Sequence, residues 1–384
     1  MIIGLAGKPN AGKSSMFKAL TLVDVKISSV PFTTIEANIA VGHIIVDCIC
    51  KEFKTKCNPK TGMCKDGKRF IPVKLVDVGG LIPGSHLGKG IGNAFLDDLR
   101  QASALIQVID TSGLTDSEGK PTTGYDPNTE IEFLKNEIDL WFADVIKRAL
   151  KKFERKLVTS PKADLIQILT EQLTGLEIKR KDIEDALKEA SITDIENFAR
   201  VLREISKPIL IAANKIDVKA ARENFENLKE KYKNIVPTSA EAEITLKTAS
   251  EKGFIDYLPG DGFEIKTELN EEQSKALDFI RREVIEKYGS TGIQDCLNKV
   301  LFDLLGYIVV YPVANVNKLC DTEGNVLPDA WLVPSGTMLK EFAFLVHTDI
   351  GEKFICGIDA RTKRKLPADY ELKNNDVVEI RFSK

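Results

Sequence analysis

The chain has 384 residues, 43% of them hydrophobic and 29% charged, with a formal net charge of −3. This length and composition predict a globular protein of two or three domains, and the near-neutral charge excludes a bulk polyelectrolyte for nucleic acid. No apolar run reaches the roughly 18 residues of a membrane-spanning helix, and no positively charged region precedes the first apolar run, so we expect a cytoplasmic protein without a signal peptide.

The first predicted element is a buried strand from Met1 to Ala6. A G-x-x-x-x-G-K-[ST] loop follows at residues 7–14, and a helix begins at its end. Backbone N–H groups of such a loop surround phosphates, and the helix N-terminus adds positive potential. We therefore predict a nucleotide site in which Lys13 reaches the β- and γ-phosphates as a catalytic group and Ser14 is a ligand of Mg²⁺. The nucleotide-binding residues predicted here are Gly7, Pro9, Asn10, Ala11, Gly12, Lys13, Ser14 and Ser15.

The next motif is Pro31-Phe32-Thr33-Thr34, between the phosphate loop and the following predicted strand. In nucleotide-dependent switch proteins a loop at this place closes on Mg²⁺ when the γ-phosphate is present. The hydroxyl of Thr34 is therefore predicted to ligate the metal and to take part in catalysis. The alternative is a pair of β-prone threonines in an ordinary strand.

Four cysteines, Cys48, Cys50, Cys57 and Cys64, occur between residues 48 and 64. Four soft ligands in one short segment suit tetrahedral Zn²⁺. Their spacing differs from the common C-x-x-C pair, so free thiols remain an alternative, as do disulfides if the source is a hyperthermophile.

A second strand is predicted from Phe70 to Asp77, and it ends in Asp77-Val78-Gly79-Gly80. Asp77 is predicted to hold Mg²⁺ through water. Gly80 is predicted to be a catalytic residue whose N–H contacts the γ-phosphate. Leu81 stands where small GTPases carry a water-orienting glutamine, so hydrolysis without a partner should be slow.

A third strand is predicted from Ala104 to Asp110, followed by a loop at residues 111–126. Apolar residues at spacings of three and four then predict a long helix, and two shorter helices follow, the last from Asp194 to Ile205. Residues 129–206 carry no nucleotide motif. We interpret them as a helical, coiled-coil-like insertion.

The strand predicted from Pro208 to Ala213 leads into Asn214-Lys215-Ile216-Asp217. The carboxylate of Asp217 can accept two hydrogen bonds from guanine, whereas adenine would leave it unpaired at a cost of roughly 1–3 kcal/mol. The sequence therefore predicts GTP as the ligand. The predicted base-binding residues are Asn214, Lys215 and Asp217, together with Ser239, Ala240 and Glu241, whose N–H groups would support the guanine carbonyl.

From about Leu305 the chain carries short β-rich runs at Ile308 to Val313, Phe342 to Val346 and Val377 to Phe382. They predict a small separate β-rich domain. The strands and helices that alternate before it predict an α/β fold with a mostly parallel sheet covered on both faces. The expected domains are a P-loop domain at 1–128 and 207–304, the insertion at 129–206 and the C-terminal domain at 305–384.

Together these motifs resemble those of the Obg-related translation-factor GTPases. Phe32-Thr33-Thr34 resembles the first switch of that group, and the glycine-rich residues 77–92 resemble its second switch. The insertion and the closing domain resemble the YchF subfamily in its archaeal form, and residues 331–384 are similar to a TGS domain. The resemblance implies slow GTP hydrolysis with Mg²⁺, and ribosome or RNA contact through the insertion and the TGS domain, by a monomer that does not bind membranes. Asn10 matches the asparagine that binds potassium in related K⁺-activated GTPases, which implies K⁺ as a second cation.

Two other functions remain open at this stage. YchF relatives often prefer ATP, so an ATPase of the same fold is one alternative, although the intact Asp217 favours GTP. The other is an RNA- or ribosome-binding adaptor whose nucleotide is only a structural ligand, which predicts no turnover even with ribosomes present. Any RNA contact would use local basic patches such as residues 147–156 or 361–365, which otherwise are solvated surface.

Overall fold

The computed structural model describes residues 1–22, 38–79, 98–157 and 162–383. These residues form two compact units. The N-terminal unit contains the described residues of 1–40 and 74–296, and the C-terminal unit contains residues 41–73 and 297–383. None of the described helices is long and apolar enough to cross a membrane.

The strands of the described residues are β1 Ile2–Ala6, β2 Ile39–Asp47, β3 Met63–Lys65, β4 Lys68–Asp77, β5 Ala104–Asp110, β6 Ile209–Asn214, β7 Ile235–Pro237, β8 Ile255–Tyr257, β9 Phe263–Ile265, β10 Tyr307–Val313, β11 Trp331–Pro334, β12 Phe354–Asp359, β13 Lys365–Leu366 and β14 Asp376–Phe382. The helices are α1 Lys13–Thr21, α2 Asn128–Leu157, α3 Lys162–Leu173, α4 Arg180–Glu189, α5 Ile195–Ser206, α6 Ala221–Lys231, α7 Ala240–Glu251, α8 Glu271–Ile280, α9 Glu286–Tyr288, α10 Ile293–Asn298, α11 Leu339–Val346 and α12 Thr348–Glu352.

The main sheet has the strand order β2-β4-β1-β5-β6-β7, with β3 paired to β4. The pairs β4–β1, β1–β5, β5–β6 and β6–β7 are all parallel, which confirms the predicted mostly parallel sheet. Every residue of β5 and β6 is buried, as expected for strands covered on both faces. Because the carboxyl ends of parallel strands meet at one edge of a sheet, the loops after β1, β4, β6 and β7 come together there. Those loops carry the predicted nucleotide motifs.

The helical segment packs through an apolar core and one buried ion pair. Trp141 and Phe142 of α2 lie in the same hydrophobic cluster as Phe198 of α5. The guanidinium of Arg203 donates through Nε to Oδ1 of Asp139, 2.7 Å away, so α2 and α5 are also joined by charge. The long helix, the helix that includes Leu165 and the helix after Asp194 are thus confirmed.

The C-terminal unit contains a second sheet with the order β11-β10-β14-β12-β13. The predicted strand at Phe342 to Val346 is wrong, because this segment belongs to helix α11. Its buried residues Leu339, Phe342 and Ala343 follow helical spacing, and the side chain of Glu341 accepts a hydrogen bond from the backbone N–H of Met338 at 3.0 Å. The helical period and this cap therefore override the β propensity of the sequence.

Candidate nucleotide-binding site

The loop between β1 and α1 has a backbone that requires glycine at two positions. Gly12 has a φ of 94°, in the left-handed region, and a Cβ there would lie 2.1 Å from Nδ2 of Asn214. A Cβ on Gly7 would lie 2.4 Å from the carbonyl oxygen of Val108. Both glycines of the motif are thus fixed by close packing against neighbouring elements.

This loop borders a cavity of about 500 Å³, a size usual for small-molecule sites. Residues of the phosphate loop and of the base motif line this same cavity, which brings most of the predicted site residues together. The lining residues are Lys8, Pro9, Asn10, Gly12, Lys13, Ser14, Ser15, Asn214, Lys215, Asp217, Val218, Ala240 and Glu241.

Asn214 connects the phosphate loop to the loop after β7. Its Nδ2 donates to the buried carbonyl oxygen of Ala11 at 2.9 Å, and its Oδ1 accepts from the backbone N–H of Ala240 at 3.1 Å. Asn214 itself is 3% exposed. Asn214 therefore lines the cavity and holds Ala11 in place, whereas Ala11 itself does not line the cavity.

Two other predicted residues also lie away from the cavity lining. Ser239 is 1% exposed, and its Oγ accepts from the backbone N–H of Ala242 at 3.2 Å, so its side chain caps helix α7. Gly7 lines a smaller neighbouring cavity. In contrast, Glu241 reaches the phosphate loop, where its Oε1 accepts from the hydroxyl of Ser15 at 3.0 Å.

The predicted magnesium residues fall partly within the described structure. The ammonium of Lys13 forms an ion pair with the carboxylate of Asp77. Ser14 is exposed in the first turn of α1 and lines the cavity. A hydroxyl and a carboxylate are the hard oxygen donors that Mg²⁺ prefers, so Ser14 and Asp77 fit this metal. Thr34 and Gly80 lie outside the described residues.

Lys215 is anchored at the carboxyl end of β5. It has a φ of 64°, and its Nζ lies 2.8 Å from Oδ2 of the fully buried Asp110. Burial opposes ionisation of Asp110, but hydrogen bonds from Lys215, Ser112 and Thr115 hold the pKa of this carboxyl below its usual value. The charged pair fixes the turn that places the half-buried Asp217 at the cavity.

The loop after β5 fastens onto the phosphate loop, a feature that the motifs did not predict. Nζ of Lys8 donates to the carbonyl oxygens of Thr115 and Asp116 at 2.6 and 2.8 Å. The same Nζ lies 2.8 Å from Oε1 of Glu130 and 4.4 Å from the ring centre of Tyr125. Lys8 occupies a position of the motif at which any residue is allowed, and its partners lie over 100 residues away in sequence. The sequence alone therefore could not reveal this contact.

A second contact joins the same two loops. Nδ2 of Asn10 donates to the carbonyl oxygen of Gly119 at 2.9 Å. A Cβ on Gly119 would lie 2.7 Å from the carbonyl oxygen of Pro9, so glycine is needed for this approach. The outer side of the phosphate loop is thus supported by the residues between β5 and α2.

Helix α7 also holds α1 in place. Nζ of Lys247 donates to the carbonyl oxygens of Ala19 and Leu22, at 2.6 and 3.1 Å, and so caps the C-terminus of α1. The same Nζ lies 3.4 Å from Oε1 of the buried Glu243. The two helices that begin at the cavity therefore act as one support.

The four clustered cysteines lie in the C-terminal unit, and the structure brings all of them together. Their Sγ atoms lie within 4.8 Å of one another, and each cysteine is free.

Three protein-family models match this chain. The model described as 50S ribosome-binding GTPase matches residues 2–215. The model described as Obg-like GTPase YGR210-like, G4 motif-containing domain, matches residues 212–315, and the TGS domain model matches residues 323–381. The first match ends and the second begins at the Asn214 motif.

Individual proteins are similar over nearly the whole chain. A GTP-binding protein of Methanocaldococcus jannaschii is 47% identical, over 99% of this chain and 98% of its own length. The crystal structure of a GTP-binding protein from Pyrococcus horikoshii OT3 covers 100% of both chains with a TM-score of 0.79 and 38% identity. The ribosome-binding ATPase YchF of Bacillus subtilis is 24% identical over 99% of this chain and 98% of its own length.

The family models agree with the geometry: a parallel sheet, a phosphate loop between β1 and α1, a base motif after β6 and a C-terminal β-rich domain. This chain therefore belongs to the Obg-like, YchF-related family of P-loop GTPases with a C-terminal TGS domain.

Proposed function

We propose that this protein binds GTP together with Mg²⁺, hydrolyses it slowly and acts as a ribosome-associated molecular switch. The observation that carries the proposal is the single cavity that Lys13 of the phosphate loop and Asp217 of the base motif both line. A nucleotide in this cavity would have its phosphates at one motif and its base at the other.

At the phosphate end, Lys13 would contact the β- and γ-phosphates and Ser14 would be a ligand of Mg²⁺. The carboxylate of Asp77 already contacts Lys13, so it would lie close enough to accept hydrogen bonds from water molecules bound to Mg²⁺. The hydroxyl of Thr34 and the N–H of Gly80 would complete the contacts to Mg²⁺ and the γ-phosphate. Catalysis would consist of positioning and of charge stabilisation by Lys13 and the metal.

At the base end, Asp217 would accept hydrogen bonds from the two guanine N–H donors. Asp110 holds Lys215, and the backbone groups of Ala11 and Ala240 hold Asn214. The turn that carries Asp217 is therefore fixed before a base binds. Such preorganisation lowers the cost of binding. The backbone N–H groups after Ser239 would support the guanine carbonyl.

The turnover rate expected without a partner is roughly 10⁻⁴ to 10⁻² s⁻¹, the range of unassisted switches. Leu81 replaces a water-orienting glutamine, and the attacking water would have to be positioned by a partner. We therefore expect that ribosomal subunits raise the rate.

The test is competition of GTP and ATP for the purified protein with Mg²⁺, measured by displacement of a fluorescent GDP. We expect strong preference for GTP, loss of binding or turnover in Lys13→Ala, and normal binding in Lys18→Ala, an exposed lysine of the same helix. Equal binding of ATP, or wild-type turnover in Lys13→Ala, would overturn the proposal.

The alternative is an ATPase of the same fold. It is favoured by the name of the similar Bacillus subtilis protein, a ribosome-binding ATPase. The competition experiment decides between the two, because adenine offers the carboxylate of Asp217 no pair of N–H donors. An adaptor that only carries nucleotide would show no turnover even with ribosomes present.

Potassium is proposed as a second cation at Asn10. The contact to Gly119 uses Nδ2, whereas a cation would bind Oδ1, so the two are compatible. A higher GTP turnover in KCl than in NaCl, lost in Asn10→Ala, would support this. Equal rates in both salts would contradict it.

The partners and setting remain part of the proposal. We infer a cytoplasmic monomer that contacts the ribosome through its helical segment at 129–206 and its TGS region at 305–384, with the GTP-binding domain at 1–128 and 207–304. Arg361 is not available in full for RNA, because its guanidinium binds Glu52 at 2.6 and 2.8 Å. Sedimentation with ribosomal subunits, compared between GDP and a non-hydrolysable GTP analogue, tests the switch.

A further inference from the structure

The cysteine cluster has the dimensions of a four-thiolate metal site. Sγ of Cys48 lies 3.9 Å from Sγ of Cys57, and Sγ of Cys50 lies 3.9 Å from Sγ of Cys64. Tetrahedral Zn²⁺ with Zn–S bonds of about 2.3 Å sets its sulfurs about 3.8 Å apart. A disulfide would need a separation of about 2 Å. The observed spacing therefore matches shared coordination and does not match S–S bonds.

The local fold positions each ligand. Cys48 directly follows β2, and Cys50 lies in the turn after it, where the N–H of Lys51 donates to the carbonyl oxygen of Cys48 at 3.2 Å. Cys64 lies in β3, opposite Arg69 of β4. The turn of this hairpin is Asp66-Gly67, with φ of 50° and 73°, the two left-handed residues of a tight hairpin. Cys57 comes from the loop between these two parts.

The polar surroundings suit anionic sulfur. Arg69 is 0% exposed and pairs with Cys64 in the hairpin, so a buried positive charge lies beside the cluster. The Arg69 Nε and the hydroxyl of buried Tyr311 have no hydrogen-bond partner among the described residues. The Nε–H of Arg69 and the hydroxyl of Tyr311 are thus two buried donors near sulfur atoms that can accept hydrogen bonds.

Four thiols at this spacing cannot all ionise without a cation. Four negative charges within 4.8 Å of one another would repel, so some of the thiols must keep their protons. A divalent soft cation would take the place of these protons and allow all four sulfurs to be thiolates.

We propose that Cys48, Cys50, Cys57 and Cys64 form a structural zinc site in the C-terminal unit. All four positions around the metal would be filled by protein sulfur, which leaves no position for a substrate. The site is separate from the described residues of the proposed GTP site, which lie in the N-terminal unit.

The site would also fix a contact within the C-terminal unit. The loop that carries Cys57 pairs with a distant segment, since the N–H groups of Asn58 and Lys60 donate to the carbonyl oxygens of Val326 and Pro328 at 2.8 and 2.9 Å. Arg69 adds donors to the carbonyl oxygens of Leu327 and Pro328, at 2.9 and 2.8 Å. Zinc would therefore order residues 48–67 and, through them, the segment at 326–328.

The first experiment measures the metal content of full-length protein produced with zinc in the medium and purified under reducing conditions. We expect one zinc ion per wild-type chain. The zinc content should fall roughly tenfold or more in Cys57→Ser and in Cys64→Ser. Cys356→Ser is the matched control, because Cys356 lies in the same unit but outside the cluster and should retain zinc. Zinc-free wild type, or wild-type zinc content in both variants, would overturn the proposal.

A second measurement does not depend on a variant that folds. Zinc is removed from the wild-type chain with a mercurial reagent, the mercurial is displaced from the cysteines by excess dithiothreitol and removed with it by gel filtration, and CoCl₂ is added. Tetrahedral cobalt thiolate absorption should appear at one equivalent and vanish when ZnSO₄ is added, while GTP binding is unchanged. No absorption, or disulfides found between Cys48 and Cys57, would contradict the site without bearing on the proposed GTP binding.

Discussion

The side-chain amide of Asn214 donates to the carbonyl oxygen of Ala11, 2.9 Å away, and so joins the base motif directly to the phosphate loop. Its oxygen accepts from the N–H of Ala240. One buried amide therefore ties three segments that are far apart in sequence, and the shape of the cavity depends on it.

Asn214→Ala should weaken GTP binding by roughly 5- to 150-fold, because it leaves the carbonyl of Ala11 and the N–H of Ala240 unpaired at about 1–3 kcal/mol. Titration with a fluorescent GDP measures the effect. Asn227→Ala, at an exposed position of α6, is the control and should bind as wild type. An unchanged affinity in Asn214→Ala would show that the phosphate loop keeps its shape without this link.

Asp217→Asn should move the preference from GTP towards xanthosine triphosphate. The amide oxygen can still accept from the N1–H of the base, but its NH₂ now faces the second position, where xanthine has a carbonyl and guanine has a donor. Competition of the two triphosphates against fluorescent GDP measures the change. A variant that still prefers GTP would mean that Asp217 does not contact the base.

The stability of the N-terminal unit should depend on the protonation of Glu130. Burial raises the pKa of Glu130 to about 7 despite the nearby Lys8, and Asp110 also faces it. Between the pKa of Glu130 in the unfolded chain and its higher pKa in the folded protein, only the folded protein keeps the proton on Glu130. The free energy of unfolding therefore falls as the pH rises from about 5 to about 8. The change is at most about 3 kcal/mol.

Urea unfolding of wild type and Glu130→Gln at several pH values measures this effect. The free energy of unfolding of Glu130→Gln should not fall as the pH rises. The stability of this variant relative to wild type should therefore increase with pH. Glu189→Gln, at an exposed position of α4, should follow wild type at every pH. Parallel pH profiles for wild type and Glu130→Gln would contradict the prediction.

Arg203→Ala should destabilise the helical segment by about 3–5 kcal/mol, because it leaves Asp139 without the guanidinium that it now binds. The free energy of unfolding in urea measures the loss. Arg200→Ala removes an exposed arginine from the same helix and should cost less than about 1 kcal/mol. Equal effects of the two substitutions would mean that the buried pair contributes little.

The sequence predicted the strands β1, β4, β5 and β6 because continuous apolar runs end at polar motif residues. Most of the residues that line the cavity belong to the motifs, but Lys8 and Val218 do not belong to the predicted set. The sequence could not predict that Lys8 binds the loop after β5, since a lysine at a variable position gives no pattern. The strand expected at Phe342 to Val346 failed because the same apolar residues also fit a helical period.

The sequence of the cysteine segment contains a hairpin signal. Asp66-Gly67 between two short β-prone runs is a strong hairpin signal, and it would have predicted the pairing of β3 with β4. The meeting of Cys57 with the other three sulfurs could not be deduced, because the path of a loop depends on its long-range partners. Those partners, at 326–328, lie more than 250 residues away.

If the protein binds GTP with Mg²⁺ as proposed, the ion pair of Lys13 with Asp77 makes binding an exchange of counter-ions. When the ammonium of Lys13 turns to a phosphate, the carboxylate of Asp77 loses its positive partner. Only a nucleotide that binds together with Mg²⁺ would supply another cation to Asp77. Free GTP would instead set a polyphosphate beside an uncompensated carboxylate. Affinity for nucleotide and affinity for magnesium are then thermodynamically linked, and each must strengthen the other by the same factor. Occupancy of the protein would consequently follow the free magnesium concentration of its surroundings as well as the supply of GTP.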